Sequence, residues 1–267
     1  MSEVKAAVAE KSVFSNPFAD VDMQPVQVAG EDVAKVAVRV KNDNGEFKLA
    51  GILGKDYSIH KNSLAKDVAS DIMSRSGMEW SNLKTLWDGK KYADYFYTSN
   101  PITEIKNGAV YPLHLGMMLR NSYDGSSKFG MEFFVMNQIC MNQYIARKIM
   151  GYFAVRHTGT NNFDIQDALQ NVSVGATRLT QLAPRIENLI GKDLTTADIT
   201  AAASSDLIPA SHWGVALETL NKELDAGKIF GLYQALTYVT SHKMQGFKAI
   251  GAGDAVTEYF FKKYETV

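Results

Sequence analysis

Cysteine is nearly absent from this sequence: Cys140 stands alone among 267 residues. That excludes an intrachain disulfide, argues against a thiolate zinc site and fits a reducing cytoplasm. Its apolar neighbours Ile139 and Met141 mark it as a buried, inert thiol. Long hydrophobic runs are missing as well. No stretch reaches the ~18 uninterrupted apolar residues of a spanning helix, so no membrane partner is expected. The first residues mix Glu3, Lys5 and Glu10 with alanines and carry no apolar core of a signal peptide. Five scattered histidines (His60, His114, His157, His212 and His242) include no His-x-x-x-His pair, so no metal and no other cofactor is expected. A phosphate-binding Gly-Lys-Ser/Thr loop is lacking. The glycine run Gly251-Ala252-Gly253-Asp254 does not follow a strand, which argues against a dinucleotide loop.

Overall charge is also slight, at −1, but it is unevenly spread. Residues 1–32 hold two lysines and six carboxylates, net −4; residues 33–148 carry +5; residues 149–267 carry −2. A locally basic middle between acidic flanks is compatible with a polyanionic partner, and equally with an ordinary solvated surface.

What is present begins with β structure. After an extended leader containing Asn16-Pro17 and Gln24-Pro25, Val36, Val38 and Val40 alternate with Ala37 and Arg39, the period of a half-buried strand. Asn42-Asp43-Asn44-Gly45 turns the chain into a return strand, Phe47 to Leu53. A helix follows, with Leu64, Val68 and Ile72 on one face, Ser63 as its expected cap and Gly77 at its end. Short strands then alternate with turns at Asp88-Gly89, Asn107-Gly108 and Asp124-Gly125. The last of these lies between two apolar runs, a strong hairpin signal because glycine supplies the positive φ of the turn. From Met141 to Tyr152 the spacing of Tyr144, Ile145, Lys148, Ile149 and Tyr152 predicts a helix.

After Gly159 the sheet signal ends. Phe163 to Ile190 reads as a long helix that Pro184 should kink or divide. Further helices are predicted from Thr195, over Trp213–Leu224, Ile229–Ser241 and Asp254–Tyr264, with Gly246 to Gly253 as a flexible link. The expected fold is therefore α+β: an antiparallel β meander with an inserted helix, followed by a helical C-terminal half. Its regions are a leader at 1–32, a β-rich core at 33–160 and a helical region packed on it at 161–267.

Single-stranded nucleic acid is held by cations that track phosphates and by aromatics on which bases stack. Residues 84–134 interleave Lys84, Lys90, Lys91, Arg120 and Lys128 with Tyr92, Tyr95, Tyr97 and Phe129. The same residues also fit plain packing, with rings in a strand core and lysines shielding an edge.

The motifs Asn121-Ser122-Tyr123-Asp124-Gly125-Ser126, Cys140-Met141-Asn142 and Arg156-His157-Thr158-Gly159 follow one another in that order. A weaker one, Gly231-Leu232-Tyr233-Gln234-Ala235-Leu236-Thr237-Tyr238 with His242, comes after them. Together they resemble a phage- and plasmid-borne family catalogued as a domain of unknown function, number 932. The sequence departs from that pattern at Asn137, where an arginine usually precedes the cysteine by three. The genomic setting of the family implies DNA metabolism, and the meander with its inserted helix is similar to single-strand annealing recombinases.

The resulting expectation is a cytoplasmic, homo-oligomeric protein that binds and anneals single-stranded DNA without covalent catalysis. Lys90, Lys91, Arg120, Lys128 and Arg156 would contact phosphates, and Tyr123 would stack a base. Two other readings stay open. One is a hydrolase-like enzyme with a site around Asp124, Ser126, Cys140 and His157; the other is a non-catalytic phage interaction or regulatory protein.

Overall fold

The computed structural model describes residues 14–107, 109–137, 142–145, 150–157, 164–223 and 225–264, with the backbone alone at 107, 109 and 142–145. Antiparallel strands fill the N-terminal half and helices most of the C-terminal half, so the fold is α+β, as its sequence pattern predicts. Three strands, β1 (Val21–Val28), β2 (Glu31–Lys41) and β3 (Phe47–Gly54), make a small sheet in that order. Val38, Val40 and Ala50 point to its buried face, while Phe47, Leu49 and Ile52 of β3 are exposed. The β1 edge of the sheet carries Pro25 and a register shift between Pro25 and Gln27; β3 forms the other edge.

After helix α1 (Asn62–Arg75), the larger sheet runs through β4 (Trp80–Trp87), β5 (Lys91–Thr98), β6 (Thr103–Asn107), β7 (Ala109–Ser122), β8 (Phe129–Asn137), β9 (Asn142–Ile145) and β10 (Tyr152–Val155). Its order is β10-β8-β7-β5-β4, with β6 added to β7 and β9 added to β8. Both faces are covered. One packs Tyr92, Phe96, Leu115, Met117 and Phe133 against α1 and α2 (Ile165–Gly191). The other packs Ala93, Tyr95, Met118, Phe134 and Met136 against Ile250 of α6 (Lys248–Lys263). Two-sided burial explains why every residue of β8 is buried, with no alternation. Three shorter helices, α3 (Thr196–Ala203), α4 (Trp213–Leu220) and α5 (Ile229–Tyr238), complete the described helical half; α5 runs on into a π-turn at Val239–Lys243.

Several expectations need correction. The stretch predicted helical from Met141 to Tyr152 holds strand β9, and strand β10 begins at Tyr152; residues 146–149 and Cys140 lie outside the described residues. Gly151, at φ +92, takes a left-handed conformation that no helix continues through. Pro184 does not divide α2, which spans 27 residues in all. A proline inside a helix costs about 3 kcal/mol, whereas each of the buried Val172, Leu179, Leu182 and Ile186 contributes roughly 1.5–3 kcal/mol. Packing outweighs the lost hydrogen bond. Gly251 and Gly253 belong to α6 and not to a flexible link. Ser63 is inside α1, whose N-cap is Lys61, without a side-chain cap.

Candidate nucleic-acid interface

The hairpin between β7 and β8 is tied down at its tip by its own motif. Asp124 accepts the N–H of Ser126 (2.9 Å), and Gly125 sits at φ +73, where a side chain would be strained. Ser122 Oγ donates to the Ser127 carbonyl (2.9 Å) and accepts the Ser127 N–H (3.0 Å), closing the loop. Asn121 Nδ2 donates to the His60 carbonyl and to Asn62 Oδ1. The Tyr123 hydroxyl accepts the N–H of Asn62 (2.9 Å), one of the orphan donors at the start of α1. The small sheet leans on the same tip: a Cβ on Gly51 would lie 2.8 Å from the Asp124 Cα, so only glycine lets β3 approach so closely.

This locked tip projects into three adjoining depressions that all include Ser126 and Ser127. One, of about 610 Å³, lies between the tip and β3, with Asp56, Tyr57, Lys128, Arg156 and His157 in its wall. The second, of about 500 Å³, is bordered by Arg120, Lys128, Glu132, Tyr152 and Asp254. The third, of about 190 Å³, holds Lys91, Arg120, Phe247 and Gly251. Four of the six residues predicted from sequence thus come together: Lys91, Arg120, Lys128 and Arg156. Lys128 and Arg156 are exposed. Arg120 is partly neutralised by Glu132 (3.3 Å), and Lys91 stands 4.0 Å from Asp124.

The other two are placed differently. Lys90 is exposed on the neighbouring β4–β5 turn, where its carbonyl accepts the Tyr123 N–H (2.7 Å). Tyr123 is 1% exposed and packs edge-on against Trp87, so its ring offers no open face to a base. Tyr92, Tyr95, Phe129 and Phe133 are buried as well. The ring that is open beside the cations is Tyr152, 61% exposed at the start of β10 and opposite Glu132. Sequence reading misses it because it assigns Tyr152 to a helix. Gly151 before it was the available signal of a chain reversal.

His157 lines the first depression from within a cluster. Its ring stacks on Tyr57 (centroids 5.0 Å apart) and faces His60 (4.9 Å). Nδ1 lies 3.2 Å from the Ser58 carbonyl, and the ring also meets the backbone of Ser127. Burial first, and then the neighbouring His60, pushes its pKa down to about 4, so the imidazole is neutral near pH 7. Asp124 is committed to Ser126 and Lys91, and His157 to Ser58; Cys140 falls outside the described residues. Among the described residues no group of three or more His, Cys, Asp or Glu side chains is arranged to hold a metal ion, and no helix is long and apolar enough to cross a membrane.

A family model described as "Domain of unknown function (DUF932)" matches residues 50–262. No curated protein and no solved structure matches the chain.

Proposed function

The chain belongs to the DUF932 family, a domain of unknown function, and on that premise we propose that it binds single-stranded DNA for annealing, without covalent catalysis. The observation that carries this reading is the gathering of Lys91, Arg120, Lys128 and Arg156 around one rigid hairpin tip. Phosphates would run past these cations, and Tyr152 would stack a base in place of the buried Tyr123. Asp56, Glu132 and Asp254 stand in the same depressions and temper the positive field. A tempered groove suits annealing, because a strand held too tightly is not released to its complement. The reading includes self-association in a host cytoplasm, as expected of a phage- or plasmid-type recombination protein.

The separate commitments of Asp124 and His157 favour binding over hydrolysis, since neither group orients the other. Fluorescence anisotropy with a labelled oligothymidylate tests the proposal. Each phosphate neutralised on a single strand contributes about −0.7 to the slope of log affinity against log salt, so three or four contacts give roughly −2 to −3. The double substitution Lys128→Gln/Arg156→Gln, at two exposed positions, is expected to flatten that slope by about 1.4. Absence of binding at low salt overturns the proposal. Light scattering with and without the oligonucleotide reports assembly in the same samples.

A further inference from the structure

A fourth depression, of about 290 Å³, continues the series beyond the hairpin tip. It shares Ile250 with the third, and Gly246 and Ala249 follow the same α6 end that supplies Phe247 and Gly251 there. At its far wall stands Lys84. Alternation along β4 is broken between Asn82 and Lys84, where Leu83 is an extra residue against β5, and this bulge sets Lys84 opposite Tyr95. Asn82 and Thr85 instead donate to Asp94 on the other face (3.0 and 2.8 Å). Lys84 therefore shares a face with Ala93, Tyr95, Met118 and Phe134, a row otherwise apolar. Its ammonium lies 4.8 Å from the centre of the Tyr95 ring and forms no salt bridge among the described residues. Burial pushes its pKa down, the mark of a cation that has lost water without gaining a counter-charge.

A packing role alone would be served better by methionine, so this lysine breaks the local rule at a cost in stability. Around it are Leu86, Met244 and Ile250 on the apolar side, and Thr240, Ser241 and Gln245 on the polar side, the first two delivered by the π-turn. Among the described residues no carboxylate lines this depression or the third one, in contrast to the first two. We propose that the Lys84 pocket is a phosphate seat that extends the DNA path past the hairpin tip and over the start of α6. A backbone phosphodiester of the strand would complete the Lys84 charge, and its sugar and base would rest on Leu86 and Met244.

This inference rests on the single-strand reading above and has its own test. Lys84→Met keeps the side-chain volume and removes the charge, and Lys84→Arg keeps the charge. Affinities are measured for oligothymidylates of about 6 to about 30 nucleotides, spanning the common site sizes. Lys84→Met is expected to weaken only strands long enough to reach from the tip to the pocket, and to lower the salt slope by about 0.7. The advantage of the wild type then shrinks about threefold between 50 and 200 mM salt. Thermal stability of Lys84→Met should be equal to or above that of the wild type, and Lys84→Arg should bind like the wild type. If the wild type binds with a salt dependence but Lys84→Met matches it at every length, the phosphate seat is overturned and the tip reading stands. If the wild type binds no oligonucleotide at low salt, both fall.

Discussion

At the residue scale, the Asn121-Ser122-Tyr123-Asp124-Gly125 run joins the hairpin, α1 and the small sheet through side chains that look like ligand-binding groups in sequence. Tyr123 is the clearest case. Its position beside a basic turn suggested stacking, yet its hydroxyl is engaged by α1 and its ring by Trp87. Nothing in the sequence shows that a helix start some 60 residues earlier requires an acceptor there; the Asn62–Tyr123 separation is 61 residues. His157 gives a prediction at this scale. Folded, it takes up a proton only at about pH 4, whereas an unfolded histidine does so near 6.5. Between these values the unfolded chain binds the extra proton, so stability falls as pH drops through that window, by at most about 1.4 kcal/mol per pH unit. Urea unfolding at pH about 7 and about 5 should show this loss, and His157→Gln should remove that part of it.

At the element scale, helix α2 sets the strength of packing against that of local propensity. Its start is sound: Asp164 accepts the N–H groups of Gln166 and Asp167. Pro184 lies on its exposed side, after the buried Leu182 and Ala183. Pro184→Ala therefore restores a backbone donor without disturbing the core, and thermal or urea unfolding should show a gain of about 1–3 kcal/mol. The long apolar period of this helix was legible, but a local rule about proline could not reveal how much sheet lay beneath it. Strands β9 and β10 illustrate the opposite limit. Each has four residues, too few to display a period, and their apolar spacing matched a helix equally well. The start of α6 was missed because its glycines looked like a link; Ala249, Ile250, Gly253, Val256 and Phe260 nevertheless continue one helical face of small and apolar residues.

At the scale of the whole molecule, the order of strands before helices was readable, and so were the hairpin and its neighbouring cations. The fate of the aromatics was not. Whether a tyrosine on a strand faces water depends on what covers the sheet, and here two of the covers, α2 and α6, come from the last hundred or so residues of the chain. Among the described residues the small sheet has no such cover on its outer side, and its two edges differ. Proline and a bulge blunt β1, while β3 ends in water with Phe47, Leu49 and Ile52 exposed beside its outward backbone. An exposed apolar edge of this kind is expected to make chains stick to one another in a concentrated preparation, forming aggregates with no fixed size. Lysines at both Leu49 and Ile52, two exposed positions, should give a monodisperse sample by dynamic light scattering. Anyone purifying the protein for spectroscopy would do well to begin with that variant.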